Sequence, residues 1–348
     1  MHYNLGLIGY GGVNRALVDI IHQQGESLEQ HYGLTLSVTF VSDLFLGSAQ
    51  DPQGLDLNTL ITLPREAGAL AQLPGGSEQP HTENLIKQGM ADIIAEATFT
   101  NADTGQPATG YCEQALSRGM HVVTTNKGPV ALAADHLKDI AREQSCEFLF
   151  EGAVMSGTPV LNLAEETLAG NAIESFSGIL NGTCNYIIEQ MENGVPQEQA
   201  IAQAQALGYA EANPKADVEG LDVKLKVAIL AQQLLGLNVS IDTIACQGIA
   251  DLTLDDVQSA LRENCRWKLI GEGTPNSSGG YDLSVGLKKL PTTHPLAGIG
   301  GPVNALCFNT ALLGPVTIAG PGAGRTETGF ALLSDILRLH RKQQRLPL

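Results

Sequence analysis

The stretch Tyr3-Asn4-Leu5-Gly6-Leu7-Ile8-Gly9-Tyr10-Gly11-Gly12-Val13-Asn14 decides the reading of the first half of the chain. Residues 3–8 form a short apolar run that reads as a buried strand. A glycine turn follows at once, and Val13, Ala16, Leu17, Ile20 and Ile21 then recur at helical spacing. Strand, glycine turn and helix, in this order, are the context of a phosphate-binding dinucleotide fold. Gly9 permits the tight turn. Gly11 lets the backbone approach a pyrophosphate, whose charge then sits at a helix N-terminus opened by Gly12 and Val13. A glycine turn with a purely structural role is the plainer alternative. Asn14 stands where the fingerprint expects its third glycine, and a side chain there predicts looser helix–strand packing or a small shift of the helix.

Outward from this stretch, short strand candidates recur at 34–42, 91–98, 121–125 and 146–150. Helical patterns such as 107–118 and 130–144 lie between them. Alternation of strand and helix with short connections implies a parallel sheet covered on both faces. The texture changes after Glu151. Helical patterns at 158–169, 184–193, 196–207 and 219–235 precede strand candidates at 266–271 and 281–287, which reads as a mixed α+β domain. A last helix, 327–342, follows the glycine-rich turn GPGAG (320–324) and is placed to pack back on the first domain.

An acidic residue ending the second strand of such a fold contacts the ribose hydroxyls of NAD. Asp43 ends LTLSVTFVSD but lies 34 residues after Gly9, so the first helix or its following loop must be long. The next basic residue along the chain is Arg65, which favours NAD over NADP. A strand-terminal aspartate in a turn is the plainer reading of the same residue.

Composition narrows the function classes. The 348 residues carry a net charge of −17, which disfavours nonspecific binding to nucleic acid or an anionic membrane. The basic cluster Arg338–Arg345 reads as a solvated helix face. No apolar run approaches the length of a membrane span, and the N-terminus lacks a basic, uninterrupted leader pattern. Six scattered cysteines without a CxxC pair read as reduced thiols, so a soluble, cytoplasmic protein is expected.

Four further segments need a joint explanation: Thr125-Asn126-Lys127-Gly128, the run EGAVMSGTP (151–159), the run GILNGTCNY (178–186) and GYAEANPKADVEGLDVKLK (208–226). Within the last, Asp222 and Lys226 are four apart and share one face of a helix. An ammonium held by a carboxylate can exchange a proton with a substrate oxygen, which alcohol oxidation by hydride loss requires. Glu211 and Asp217 precede that helix and could bind a substrate ammonium. An exposed Asp/Lys pair worth little is the plainer reading.

Together these segments resemble homoserine dehydrogenase, over nearly the whole chain from Gly9 to Asp335. The resemblance implies NAD(P)-dependent interconversion of L-homoserine and L-aspartate 4-semialdehyde, in threonine and methionine biosynthesis. It implies a Rossmann-type domain over 1–150, completed by 320–348, and an α+β catalytic and dimerisation domain over 151–319. The expected form is the short one, without a kinase half or an evident C-terminal regulatory module, and a homodimer. By the same resemblance Lys226 is the acid/base lysine, Asp222 its substrate-binding neighbour, and Glu211 binds homoserine. Lys127 lies near the nicotinamide and the reacting oxygen, and Asp217 belongs to the catalytic region. Thr98 and Gly324 fall near cofactor contacts. The segment at Glu151 implies a monovalent cation, usually sodium, held largely by backbone carbonyls at Glu151, Val154, Ser156 and Thr158.

Departures from the family pattern are Asn14, Asn213 for a common aspartate, Cys184 for a common threonine, and TETGFALLSD after GPGAG. Competing readings are a dehydrogenase of another small amino or hydroxy acid, and a dinucleotide-binding regulator without catalysis. An acylating semialdehyde dehydrogenase needs a nucleophilic cysteine, for which Cys184 is the candidate to test.

Overall fold

The fold is that of a computed structural model, which describes residues 1–211 and 213–345. Ala212 of the GYAEA segment and residues 346–348 of the expected C-terminal element lie outside the described residues. The chain divides into two compact units, one running to Gly157 and resuming at Gly324, the other spanning Thr158–Ala323.

The first unit is built on a six-stranded sheet. Its strands are β1 (His2–Ile8), β2 (Thr35–Asp43), β3 (Gly47–Gln50), β4 (Ile93–Glu96), β5 (His121–Thr124) and β6 (Phe148–Leu149). The order is β3-β2-β1-β4-β5-β6. All neighbours are parallel except β3, which turns back antiparallel on β2 at the edge. The helix Gly12–Tyr32 carries the chain from β1 to β2, and its 21 residues account for the long spacing between Gly9 and Asp43. The chain then crosses to β4 on the other side of β1. That reversal makes the carboxyl ends of β1 and β4 the switch point where open α/β sheets bind ligands.

Leu17, Val18, Ile20 and Ile21 of the first helix are buried in one core with Leu5 and Leu7 of β1. Leu332, Leu333, Ile336 and Leu339 of the helix Arg325–Arg345 join the same core. Gly329 lets the two helices meet: a Cβ added there would lie 2.9 Å from Ala16 Cβ.

Asn14 does not loosen this packing. Its side chain is fully buried, and its amide donates to Gly9 O at 2.7 Å, Ala95 O at 3.0 Å and Ile8 O at 3.3 Å. The group that displaces the third glycine thus ties the end of β1 to β4.

The second unit holds another six-stranded sheet. Its strands are β7 (Ile173–Ile179), β8 (Ala245–Cys246), β9 (Cys265–Pro275), β10 (Tyr281–Pro291), β11 (Val303–Thr310) and β12 (Gly314–Pro321). Their order is β12-β11-β7-β9-β10-β8, antiparallel except for β8 beside β10. The helix Leu221–Leu235 approaches this sheet closely, since a Cβ at Gly271 would meet Val227 at 2.6 Å. The helix expected over 158–169 is shorter and wider. One turn at Val160–Asn162 passes into a π-type turn at Leu163–Thr167, closed by Leu168 N–H donating to Leu163 O. Among the described residues, no helix is long and apolar enough to cross a membrane.

Candidate active site

The glycine turn sits at the carboxyl end of β1. Gly9 has φ +78°, and a Cβ there would lie 2.7 Å from Ala97 O, so glycine is required by both conformation and space. Gly11 is the N-cap of the helix Gly12–Tyr32. It makes no side-chain cap and faces open space, with no atom within 4 Å of an added Cβ. The helix's first turn holds no acidic residue. Uncapped N–H groups beside an open approach fit a bound pyrophosphate. Val13 packs against the core behind the turn. A Cβ at Gly12 would strike the Arg325 side chain, which brings the segment after Gly324 to the same turn. Gly324 itself has φ +125°, and its carbonyl accepts from the Thr328 N–H and hydroxyl.

Asp43 is brought to the turn as well. Tyr10 N–H donates to its Oδ2 at 2.8 Å, while Phe45 and Leu46 N–H donate to Oδ1. The reading along the chain missed Arg15, which the first helix swings within electrostatic reach of Asp43. Its guanidinium lies 4.7 Å from the Tyr10 ring centre and donates to Leu63 O and Tyr10 O. Arg65 is in turn within electrostatic reach of Arg15.

Thr98 and Lys127 follow β4 and β5. Glu96, the last residue of β4, is a fully buried carboxylate that sequence reasoning did not single out. Burial pushes its carboxyl above the usual range, against the hydrogen bonds from Thr98, Thr124 and Asn126. The available signal was an acidic residue inside the otherwise apolar run ADIIAEAT. Asn126 caps the helix Lys127–Glu143 through Gly128 N–H at 3.0 Å, so Lys127 opens that helix.

The second unit gathers a separate polar cluster. Leu180 directly follows β7, and its carbonyl accepts from Lys226 Nζ at 2.7 Å. The same ammonium donates to Asp222 Oδ2 at 2.8 Å, and the Lys226 side chain is only 8% exposed. This buried, geometrically tight pair is unlike a solvated surface pair. Asn181 is the residue the motif reading quoted without a role. Its Nδ2 donates to Asp217 Oδ1 at 2.7 Å and to Asp222 Oδ2 at 3.0 Å. Its Oδ1 caps the helix Gly182–Glu192 through Cys184 N–H at 2.8 Å. Burial raises the Asp217 carboxyl above its ordinary value. The Asn181 hydrogen bond opposes the rise, and the Asp222 charge adds to it. Glu211 is within electrostatic reach of Asp217, and its side chain is exposed.

Cys184 lies beside the cluster, with its Sγ 3.2 Å from Asp217 O. Burial and the carboxylates of Asp217 and Asp222 hold its thiol well above the ordinary range. Such a thiol is a poor nucleophile, which removes the chemical basis for an acylating role.

The proposed cation segment begins at Glu151, which is buried and donates its N–H to Asp335 Oδ2 at 2.9 Å. Val154 is buried in the turn Gly152–Met155. Ser156 has φ +52° and hydrogen-bonds through its hydroxyl to Thr328. Thr158 belongs to the second unit and donates its hydroxyl to Pro321 O at 2.9 Å. No group of three or more His, Cys, Asp or Glu gathers as a metal site among the described residues.

Residues 159–337 match the homoserine dehydrogenase family. An NAD(+)-dependent homoserine dehydrogenase of Pseudomonas canavaninivorans is 53% identical over 99% of this chain and 97% of its own length. The chain belongs to the homoserine dehydrogenase family. Its fold agrees with that assignment. A putative homoserine dehydrogenase of Archaeoglobus fulgidus has a TM-score of 0.84 at 32% identity, covering 97% of this chain and 99% of the other. A hyperthermophilic archaeal homoserine dehydrogenase in complex with NADPH has a TM-score of 0.83 at 26% identity, covering 100% and 99%. The protein is therefore an oxidoreductase of the homoserine dehydrogenase class, with a Rossmann-type unit and an α+β unit.

Proposed function

We propose that this enzyme interconverts L-homoserine and L-aspartate 4-semialdehyde with NAD as its preferred cofactor. The observation that carries the proposal is the buried Lys226–Asp222 pair braced by Asn181 and Leu180. When bound, the nicotinamide supplies hydride exchange with the terminal carbon of the substrate. Lys226 takes or gives the proton on the substrate oxygen. Two of its three ammonium protons are directed to Leu180 O and Asp222, and the third is the one offered to substrate. Asp222 keeps the ammonium oriented and balances its charge. Asp217 and Glu211 bind the α-ammonium of the amino acid, and Lys127 contacts the reacting oxygen.

In the first unit, Gly9, Gly11, Gly12 and Val13 cradle the pyrophosphate at the helix N-terminus, with Thr98 and Gly324 alongside. Asp43 faces the adenosine ribose, where its charge disfavours an added phosphate. The NAD(+) dependence of the Pseudomonas relative supports NAD, while the archaeal relative is in complex with NADPH. We further assign a sodium ion to the carbonyls at Glu151, Val154, Ser156 and Thr158, and a homodimer to the sheet of the second unit, where β12 is an edge strand. Six free cysteines fit a reducing cytoplasm.

The test is reduction of NAD and NADP in parallel with L-homoserine at alkaline pH, beside a panel of small amino and hydroxy acids. Homoserine-dependent reduction with NAD ahead of NADP is expected. Faster turnover of another acid would replace the substrate, and equal use of both cofactors would remove the Asp43 argument.

A further inference from the structure

We infer that Glu96 is a positioning residue for the reaction: its carboxylate locks the loop after β4 and the loop after β5 into one register. The inference rests on reading Thr98 and Lys127 as site residues.

Four donors converge on this one carboxylate. Thr98 N–H donates to Oε1 at 2.8 Å, joined there by the Thr98 hydroxyl and by Asn126 Nδ2 at 3.4 Å. The Thr124 hydroxyl donates to Oε2 at 2.7 Å. All of these donors are neutral, and the side chain is fully buried. A buried carboxylate compensated by neutral donors is an expensive way to fill a core position. Its effect is on arrangement.

That effect can be followed atom by atom. Each hydroxyl has one proton, and both protons point at Glu96. Both hydroxyl oxygens then accept from Asn126: Thr98 Oγ1 from its Nδ2 at 3.2 Å, and Thr124 Oγ1 from its N–H at 3.0 Å. The same Asn126 amide donates to Thr98 O and Phe99 O, and its Oδ1 caps the helix that Lys127 begins. An acceptor at Glu96 thereby fixes two hydroxyl rotors. The rotors fix Asn126, and Asn126 fixes the start of the Lys127 helix.

Glu96→Gln keeps the shape and breaks the pattern. The amide oxygen can serve Thr98, but the amide N–H groups then face a hydroxyl that was itself a donor. Displacing a reacting group by about an ångström can lower turnover on the order of 100-fold. The experiment is a double-mutant cycle on the full-length enzyme with homoserine and NAD, using Glu96→Gln and Lys127→Ala. Glu96→Gln is expected to lower kcat at least tenfold with its thermal midpoint little changed. In the Lys127→Ala background the same change should lower kcat less than threefold. Losses that multiply independently, or a kcat for Glu96→Gln within threefold of wild type, would overturn the inference.

If Lys127→Ala alone leaves kcat intact, the lysine reading fails by itself. Glu96 is then judged by affinity for reduced dinucleotide: a Kd at least tenfold weaker in Glu96→Gln supports the inference, and an unchanged Kd overturns it. Thr124 gives a check with the carboxylate intact. Thr124→Val should reproduce the Glu96→Gln loss and Thr124→Ser should restore activity. Equal activity of the two would count against the inference.

Discussion

Replacing Asn181 by alanine removes the brace between two carboxylates and the cap of a helix in one step. The cap, Cys184 N–H to Asn181 Oδ1 at 2.8 Å, contributes about 1 kcal/mol. The donors to Asp217 and Asp222 are charge-assisted, at about 1.5–3 kcal/mol each when fully buried. Both carboxylates retain some access to water, so roughly half of that range applies, and the total loss is about 3 kcal/mol. For a unit of this size, about 2–4 °C is lost per kcal/mol, so the midpoint of the second unit should fall by about 6–12 °C.

The deficit should also depend on pH. The folded Asp217 carboxyl already titrates above its ordinary value because burial penalises its charged form. A raised carboxyl stabilises the fold at low pH and loses that contribution as pH rises through its folded value. Without Asn181 the folded value climbs further, so the penalty is largest at neutral pH. It shrinks as pH falls toward the ordinary aspartate range. Thermal unfolding of Asn181→Ala and wild type at pH 7 and pH 5 measures both effects. A midpoint change under 2 °C, or a deficit that grows toward acid, would refute the reasoning.

Two further outcomes follow from the same geometry. Gly9→Ala must accept φ +78° and a Cβ 2.7 Å from Ala97 O, which is expected to lower stability by about 3 kcal/mol and abolish dinucleotide binding, read by thermal shift and by reduced-cofactor fluorescence. In the native protein, thiol-reactive probes should label Cys246 and Cys265, which are partly exposed, and spare Cys184, with activity retained; peptide mapping that finds Cys184 modified under native conditions would contradict its burial.

The two halves of the fold were legible to different degrees. The first half announced itself through period and punctuation: an apolar strand, a glycine turn and a helical stripe in immediate succession. The second half hid its sheet. β7, β11 and β12 contain Ser, Asn, Gly and Pro within short runs, so neither alternation nor β-branched content marks them strongly. Asp222 and Lys226 were paired from helical spacing alone, but spacing is silent on burial, and it is burial that separates this pair from a surface one. Asn181 and Glu96 were missed for a common reason. Each acts through partners far along the chain, Asp217 and Asp222 in one case and Thr124 and Asn126 in the other, and only the fold brings those groups together. Arg15 was missed because distance from Asp43 was counted along the chain, whereas the first helix returns it through space.

Lys226 is proposed to move the proton on the substrate oxygen. Turnover of Lys226→Ala with homoserine tests it most directly, beside the affinity of the same variant for reduced dinucleotide. A fall in kcat of about 10²–10⁴-fold, with dinucleotide affinity within twofold of wild type, is expected. A kcat within tenfold of wild type, in folded protein that still binds dinucleotide, would contradict it.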